Sequence, residues 1–274
     1  MVSIALRRAL FACALFLCVF SSHASNAAGL RLVIHDDSGN EGDALPLPSR
    51  FAAIKQVIET AAGRPVELIV TRDRVRVRDL MERNMGDLFI VDGIDLAARA
   101  LTGLGFNFVA TGRPDVNSLF IAKGAPIENL KQLAGKAVAM PPTDALGGKM
   151  CAAELRDFVG TQFTPRPSRE YSAVVWAIEN NVESVGCIPS YARALEGLEA
   201  KKLKVVYEGR MVPAKAVVSS LTLRDSERTA IARALSALDD EGAGKAALKS
   251  IRVTGFTEGG ETRLRSLAGW LKDR

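Results

Sequence analysis

The sequence predicts an α/β protein of two lobes, each lobe a mostly parallel sheet flanked by helices. Short apolar segments typical of buried strands alternate with segments whose apolar residues recur at helical spacing. This alternation runs twice, with a break near Ser118, and strand and helix patterns return after Met211. We therefore expect a first lobe from residues 28–117 and 212–274, and a second lobe from residues 118–211.

The first series supplies the elements of the first lobe. Its expected strands are residues 30–35, 66–70, 87–91 and 106–110, and its expected helices are residues 50–62, 77–84 and 95–102. In the first helix Phe51, Ile54 and Ile58 share one face, and Gly63 and Pro65 end the helix. This βαβα order favours a sheet covered on both faces.

The second series and the C-terminal stretch follow the same logic. Strands are expected at residues 119–122, 137–140, 185–188 and 204–207, a helical turn at 127–133, and helices at 149–158, 172–180 and 191–198. After Met211 we expect an extended segment at 216–221 and helices at 226–238, 242–250 and 261–271. Ligands of such sheets bind outside the carboxyl ends of strands, which predicts a cleft between the lobes.

Composition excludes several classes of protein. Apolar residues make up 48% of the 274 residues and charged residues 24%, which is typical of a globular protein rather than a disordered or fibrous one. The net charge is +5, but Arg7 and Arg8 lie in a segment that we expect to be removed, which leaves a net charge of +3. So small and scattered an excess argues against a nucleic-acid partner.

Residues 1–27 have the three-part plan of a secretory signal peptide. Arg7 and Arg8 precede an apolar run at residues 9–20, and small or polar residues follow up to Ala27. The run is shorter than the roughly 20 residues that span a bilayer, so a membrane anchor is the less favoured alternative. We expect a protein of the periplasm that is not embedded in the membrane, with cleavage after Ala24 or Ala27.

Two cysteines remain after the leader, Cys151 and Cys187. An even pair in an oxidising compartment favours one disulfide bond between them. Two alternatives stay open: a pair of buried thiols that pack as small apolar residues, or a thiol site for a soft ligand.

Four fragments, in order and spacing, carry a resemblance to a known family. They are Gly-Arg-Pro-Val-Glu-Leu at residues 63–68, Gly-Asp-Leu at 86–88, Asn-Leu-Lys-Gln-Leu-Ala-Gly-Lys-Ala-Val-Ala at 129–139 and Asn-Asn-Val-Glu-Ser-Val-Gly at 180–186. From about residue 30 to 256 the chain resembles the phosphate, phosphite and phosphonate solute-binding proteins of ABC transporters. The resemblance implies a type II periplasmic-binding-protein fold, a small-molecule ligand held between two hinged lobes, and an ABC permease as partner.

The expected ligand loop of the second lobe departs from the family pattern. Where the family carries a Ser-Thr-Ser-Gly type of turn, this chain has Ala145, Leu146, Gly147 and Gly148. Backbone amide groups at a helix start can bind an anion without hydroxyl groups. Asp144 either repels an anion at this place or caps the helix that follows.

Departures also occur in the loop of the first lobe. The family's Gly-Pro-x-Ser-Tyr is replaced by a segment that contains Asp92 and Asp95. Asp95 is readily explained as a helix N-cap, whereas Asp92 ends an apolar strand at the edge that faces the cleft. Tyr171, with Ser172 beside it, stands near the family's histidine position, and a tyrosine that only packs is the alternative.

His35 is expected at the cleft end of the first strand, followed by Asp36 and Asp37. Together with Asp92, Asp95 and Asp144 these carboxylates predict an acidic rim, which is unsuited to a doubly charged oxyanion. The expected ligand-binding set is His35, Asp92, Asp95, Asp144, Ala145, Leu146, Gly147, Gly148, Tyr171 and Ser172. A swing of Arg113, Lys149 or Arg169 into the cleft would restore positive charge.

The sequence favours a binding protein over an enzyme. It contains no nucleophile elbow, no paired zinc motif and no phosphate-binding P-loop, and it calls for no cofactor and no metal site. We expect an exported solute-binding protein whose ligand differs from that of the family. The alternative is a periplasmic sensor or accessory protein with a membrane partner, in which Cys151 or Cys187, with Met140 or Met150, takes a soft ligand such as arsenite or copper.

Overall fold

The structure, a computed structural model, describes residues 29–36, 47–124, 129–238 and 241–272. The segment expected to be a signal peptide, and Asp37, lie outside these residues. Within them the chain forms two mixed sheets flanked by helices, the α/β two-lobe architecture that the sequence predicts.

The strands are those expected, with two additions. They are β1 (Leu30–His35), β2 (Val66–Thr71), β3 (Leu88–Val91), β4 (Asn107–Val116), β5 (Ser118–Ala122), β6 (Ala137–Met140), β7 (Thr164–Pro167), β8 (Val185–Pro189), β9 (Lys204–Glu208), β10 (Val212–Ser219) and β11 (Gly255–Thr257). One sheet has the order β11-β4-β10-β3-β1-β2, and we call it, with the helices on it, the first lobe. The other has the order β7-β6-β8-β5-β9 and forms the second lobe.

Both sheets are mixed rather than mostly parallel. β1 is parallel to β2 and β3, and β6 is parallel to β7 and β8, whereas β10 is antiparallel to β3 and β4, and β5 to β8 and β9. The reason lies in the crossing between the lobes. The chain leaves the first sheet through β4 and returns through β10, so these neighbours must run in opposite directions.

The helices cover both faces of each sheet. They are α1 (Leu47–Arg50), α2 (Ala52–Ala62), α3 (Arg74–Glu82), α4 (Ile94–Gly103), α5 (Leu146–Val159), α6 (Tyr171–Glu179), α7 (Asp225–Ser236), α8 (Gly242–Ser250) and α9 (Glu261–Trp270). In the first lobe α3, α4 and α9 enclose one apolar core, and α2, α7 and α8 enclose the other. In the second lobe α5 lies on one face and α6 on the opposite face.

Several elements differ from the sequence-based expectation, among them the edge strand β11, which the sequence did not predict. The helix predicted at residues 191–198 is wrong, because only Arg193–Leu195 form a short 3-10 turn. β7 was not predicted, since its Thr-Pro-Arg-Pro sequence is exposed and lacks the apolar pattern of a buried strand. Helix α5 begins at Leu146, three residues before the predicted start.

Helix α5 belongs to both lobes. Its Cys151 and Leu155 pack into the core of the second lobe, whereas Leu146, Met150 and Ala153 pack into the core of the first. Farther along α5, Arg156 donates hydrogen bonds to the carbonyl oxygens of Trp270 and Lys272, and the Trp270 indole donates to Asp157 at 2.9 Å. Helix α5 therefore contacts the first lobe both near its start and near its end.

The predicted disulfide is present. Cys151 on α5 is bonded to Cys187 on β8, with their Cα atoms 6.0 Å apart. It ties the bridging helix to the middle of the second sheet. In the described part of the chain, no helix combines the length and the apolar character that crossing a membrane requires.

We expect removal of this bond to destabilise the protein. The bonded residues are 36 positions apart, and closing a loop of that size stabilises a fold by about 3 to 4 kcal/mol on the chain-entropy model. Urea unfolding of the Cys151→Ala/Cys187→Ala double variant, measured against wild type, checks the value. Thiol titration of unfolded protein that lacks residues 1–27 should find no thiol, and two titratable thiols would contradict the bond.

Candidate functional site

Polar residues gather where β1 and β3 end. His35 is the last residue of β1, and it lies opposite Val91, the last residue of β3, in the parallel register. Asp36 and Asp92 follow directly, and Asp95 lies in the first turn of α4. Because the carboxyl ends of these parallel strands meet at one edge, residues far apart in sequence share a small volume.

Asp36, Asp92 and Asp95 are each paired with a cation, so these three carboxylates do not give the rim the acidic character that the sequence led us to expect, and Asp144 is exposed. Asp36 pairs with Arg50 at 2.9 Å. Asp92 pairs with Lys215 of β10, and Asp95 pairs with Arg74, the first residue of α3. Asp95 also lies 3.5 Å from the amino group of Lys149 on α5. Lys149, one of the three cations that the sequence offered for the expected cleft, therefore lies at this rim.

Asp95 is not the N-cap of α4. The N-cap is Gly93, which has no side chain to cap with, and Asp95 lies two residues farther on, within the first turn. Its carboxylate is still favoured there by the positive end of the helix dipole. Gly93 lets the Arg74 guanidinium approach closely, since a Cβ atom on Gly93 would lie 2.9 Å from Nη1 of Arg74. Glycine therefore positions the cation that holds Asp95.

His35 is buried without a hydrogen bond from either ring nitrogen among the described residues. Burial lowers the pKa of His35 to about 4, and the positive charges of Arg74 and Lys215 add to this effect, while Asp36 and Asp95 oppose it. The imidazole is therefore neutral at physiological pH and offers one N–H donor and one acceptor nitrogen. Nη1 of Arg74 and Oδ1 of Asp95 are likewise buried without a partner among the described residues.

The depressed pKa of His35 predicts a stability that falls in mild acid. The unfolded chain takes up a proton near the ordinary pKa of 6.5, whereas the folded chain resists until about pH 4, so acidification through this window favours unfolding. The full effect is about 3 kcal/mol. Urea unfolding of wild type and His35→Gln at several pH values checks this. Between about pH 6.5 and pH 4 the free energy of unfolding should fall less steeply with decreasing pH in the variant than in wild type. An equal dependence on pH in both proteins would contradict the prediction.

The start of α5 provides no side-chain cap. The N-cap is Ala145, and Asp144 is exposed one residue earlier, so the expectation that Asp144 caps the helix is wrong. Leu146 is only 2% exposed because it is packed in the first-lobe core. Gly148 approaches the backbone so closely that a Cβ atom would lie 2.1 Å from the carbonyl oxygen of Pro142. Gly148 is thus required for the close packing of the helix start against the backbone of Pro142.

Tyr171 and Ser172 open α6 in the second lobe. The Tyr171 ring packs edge-on against Tyr191, with centroids 6.2 Å apart, and Ser172 is exposed. The residues that the structure brings together are instead His35, Asp92, Asp95 and the first turn of α5. Sequence reasoning missed Arg50, Arg74 and Lys215. A lysine within the apolar run of β10 was the one available signal.

A separate surface groove of about 670 Å³ lies beside β4 and the start of α9, where its walls include Arg113, Thr257 and Arg263. None of the ligand-binding residues expected from the sequence lines it. Arg113 therefore lies at this groove.

The alternative of a thiol site for a soft ligand has no free thiol to rely on. Both sulfur atoms of Cys151 and Cys187 are in the disulfide, so neither offers a thiolate to arsenite or copper. Among the described residues, no group of three or more histidines, cysteines and carboxylates is arranged to hold a metal ion.

A match to a protein-family profile assigns the chain to a family. The profile described as "ABC transporter, phosphonate, periplasmic substrate-binding protein" matches residues 45–262, well over half of the sequence. The chain belongs to this family. No curated protein matches the chain with significance.

Solved structures show the same fold at low sequence identity. XAC2383 from Xanthomonas citri bound to ATP matches with a TM-score of 0.70 and 14% identity over 89% of this chain and 97% of its own. PhnD1 from Prochlorococcus marinus, in complex with methylphosphonate, matches with a TM-score of 0.66 and 12% identity over 88% and 96%. An ancestral arginine-binding protein bound to arginine matches with a TM-score of 0.51 and 15% identity, over 81% of this chain and 96% of its own. These relatives place the chain in the type II periplasmic binding protein fold.

Membership of this family settles the broad class of activity. Members of the phosphonate substrate-binding family are periplasmic proteins that bind small ligands and work with ABC permeases. The expectation of a binding protein rather than an enzyme is therefore confirmed. Such a protein works by binding its solute more tightly in the closed than in the open conformation of its lobes, and it breaks no bond.

Proposed function

We propose that this chain is an exported solute-binding protein that captures a small solute between its lobes and delivers it to an ABC permease. Residues 1–27 would serve as its signal peptide, residues 28–117 and 212–274 as the first lobe, and residues 118–211 as the second. The observation that carries the proposal is the contact of Asp95 with Lys149. It joins the two lobes at the strand ends where ligands of this fold class bind.

Both lobes contribute polar groups to the proposed binding cleft. The first lobe contributes His35, Arg74, Asp92 and Asp95, and the second contributes the first turn of α5. Buried polar atoms in folded proteins almost always have partners, so the partnerless atoms of His35, Arg74 and Asp95 mark places where water or a solute binds. Closing the lobes around that solute would exclude bulk water from it.

We also propose that the ligand is not a doubly charged oxyanion. Three features support an altered ligand: Ala145, Leu146 and Gly147 carry no hydroxyl, Leu146 is packed in the core, and Asp95 already occupies two cations. The open positions include both donors and acceptors, because neutral His35 and Arg74 can donate while His35 and Asp95 can accept. A solute with groups of both kinds would satisfy them.

A thermal-shift screen tests the function. Protein that lacks residues 1–27 is melted with oxyanions, amines, amino acids and metal ions, and a solute that binds the folded state raises the midpoint. We expect at least one small solute to raise it in wild type, and expect the shift to be lost in His35→Ala and Lys149→Ala. A shift that survives both substitutions would place binding elsewhere, and a screen without any shift would contradict a solute-binding role.

A further inference from the structure

We propose that Asp95 is a built-in anion of the cleft: it takes the place of an anionic group of a solute, and so determines that the cleft rejects oxyanions. The inference rests on the proposed function, because it concerns the ligand choice of the same cleft. It assigns to one side chain of the rim a role in ligand specificity.

Three sources of positive charge converge on the Asp95 carboxylate. Arg74 pairs with it from α3, and the amino group of Lys149 lies 3.5 Å away on α5 of the other lobe. The third source is the N-terminal turn of its own helix α4, whose N-cap Gly93 has no side chain to offer. All three surround a carboxylate whose side chain is only 12% exposed. A guanidinium, an amino group and helix amides are the donors that bind anions in proteins.

Asp95 fills this position only in part. Nη1 of Arg74 and Oδ1 of Asp95 both lack a partner among the described residues, although both are buried. A carboxylate fixed to α4 cannot turn to serve every donor around it. A phosphonate or phosphate has three or more oxygens and could serve Arg74 and Lys149 together.

The charges nearby explain why Asp95 excludes such a ligand. Arg74, Lys149 and Lys215 contribute three positive charges, and Asp92 and Asp95 contribute two negative ones, a net of +1. The nearby pair of Asp36 with Arg50 is neutral as a unit. Replacing Asp95 by a neutral residue raises the net charge to +2, which complements a doubly charged anion. Like charge from Asp95 would otherwise meet the ligand at contact distance.

Calorimetric titration with methylphosphonate, and separately with inorganic phosphate, tests the inference. The proteins are wild type, Asp95→Asn and Asp95→Ser, each lacking residues 1–27. We expect both variants to bind at least one of the two anions tenfold or more tightly than wild type. Adding Lys149→Met to Asp95→Asn should abolish the gain, because Lys149 is then no longer available to the anion.

Asp79→Asn is the matched control. It removes the same charge from the exposed surface of α3, the helix that carries Arg74, where Asp79 forms only an exposed pair with Arg78. We expect no gain in anion affinity from it. An equal gain in Asp79→Asn would show a general charge effect and overturn the inference. Unchanged affinity in both folded Asp95 variants would overturn it too, as would failure of both to fold, since Asp95 would then be structural.

The outcomes separate this inference from the proposed function. If wild type responds to another solute but neither Asp95 variant gains affinity for anions, the proposed function stands and the inference is wrong. If the variants bind anions while wild type responds to no solute in the screen, the inference stands and the solute-binding role of the native chain is wrong.

Discussion

Calorimetry on protein that lacks residues 1–27 is expected to show no submicromolar binding of methylphosphonate, phosphate or phosphite at physiological salt. The loop at Ala145, Leu146 and Gly147 has no hydroxyl group to donate, and Asp95 already holds Arg74 and Lys149. A charge-assisted hydrogen bond is worth roughly 1.5 to 3 kcal/mol. The loss of two such bonds weakens affinity by about two to four powers of ten.

A positive control is at hand for this measurement. PhnD1 from Prochlorococcus marinus, whose structure contains methylphosphonate, should give a clear binding isotherm in the same buffer. Submicromolar binding of any of the three anions by the present protein would contradict the prediction. It would mean that the amide groups at the start of α5 suffice without hydroxyl groups.

Substituting Arg50 by Met is expected to lower the free energy of unfolding by about 3 to 5 kcal/mol. Asp36 is 2% exposed, and Arg50 is its ion-pair partner at 2.9 Å. The same guanidinium donates to the carbonyl oxygen of Ser250 at 3.1 Å and lies over the Phe51 ring. Removing it takes this cation away from a buried carboxylate at the end of β1, next to His35. Urea unfolding at neutral pH measures the change.

An exposed pair provides the control for Arg50. Arg78 and Asp79 on α3 are each close to half exposed, so Arg78→Met should cost less than about 1 kcal/mol. The double variant Arg50→Met/Asp36→Leu should recover part of the loss, because it leaves no buried charge without a counterion. A single variant as stable as wild type would show that Asp36 is adequately solvated without Arg50.

The elements of the fold were largely predictable because the spacing of apolar residues along the chain shows which face of a helix or strand is buried. β1 and β3 are buried along their lengths, and α2 carries Ile54 and Ile58 on its buried face, so their sequences show which side faces the core. The exposed strand β7 and the loop at residues 191–198 could not be recognised in this way. β7 is an edge strand with two prolines and has no apolar period, whereas Tyr191, Leu195 and Leu198 do recur at helical spacing although only Arg193–Leu195 form a 3-10 turn.

Strand direction was less accessible than strand position. An apolar run has the same pattern whether its neighbour runs parallel or antiparallel, so the antiparallel pairing of β10 with β3 and β4 does not appear in the sequence. It follows from the path of the chain between the lobes. The disulfide was predictable as a pair, because Cys151 and Cys187 are the two cysteines that follow residue 27.

The sequence by itself determined the two-lobe α/β architecture, the family, and the positions of His35 and Asp92 at strand ends. These depend on local patterns and on short continuous fragments of the chain. The tertiary structure alone decided the charge of the cleft, because Asp92 meets Lys215 across 123 positions, and Asp95 meets Arg74 and Lys149 from two other helices. The sequence around an aspartate does not reveal which cation its carboxylate pairs with. Its electrostatic effect depends on distances of a few ångströms, which only the packing of separate elements sets.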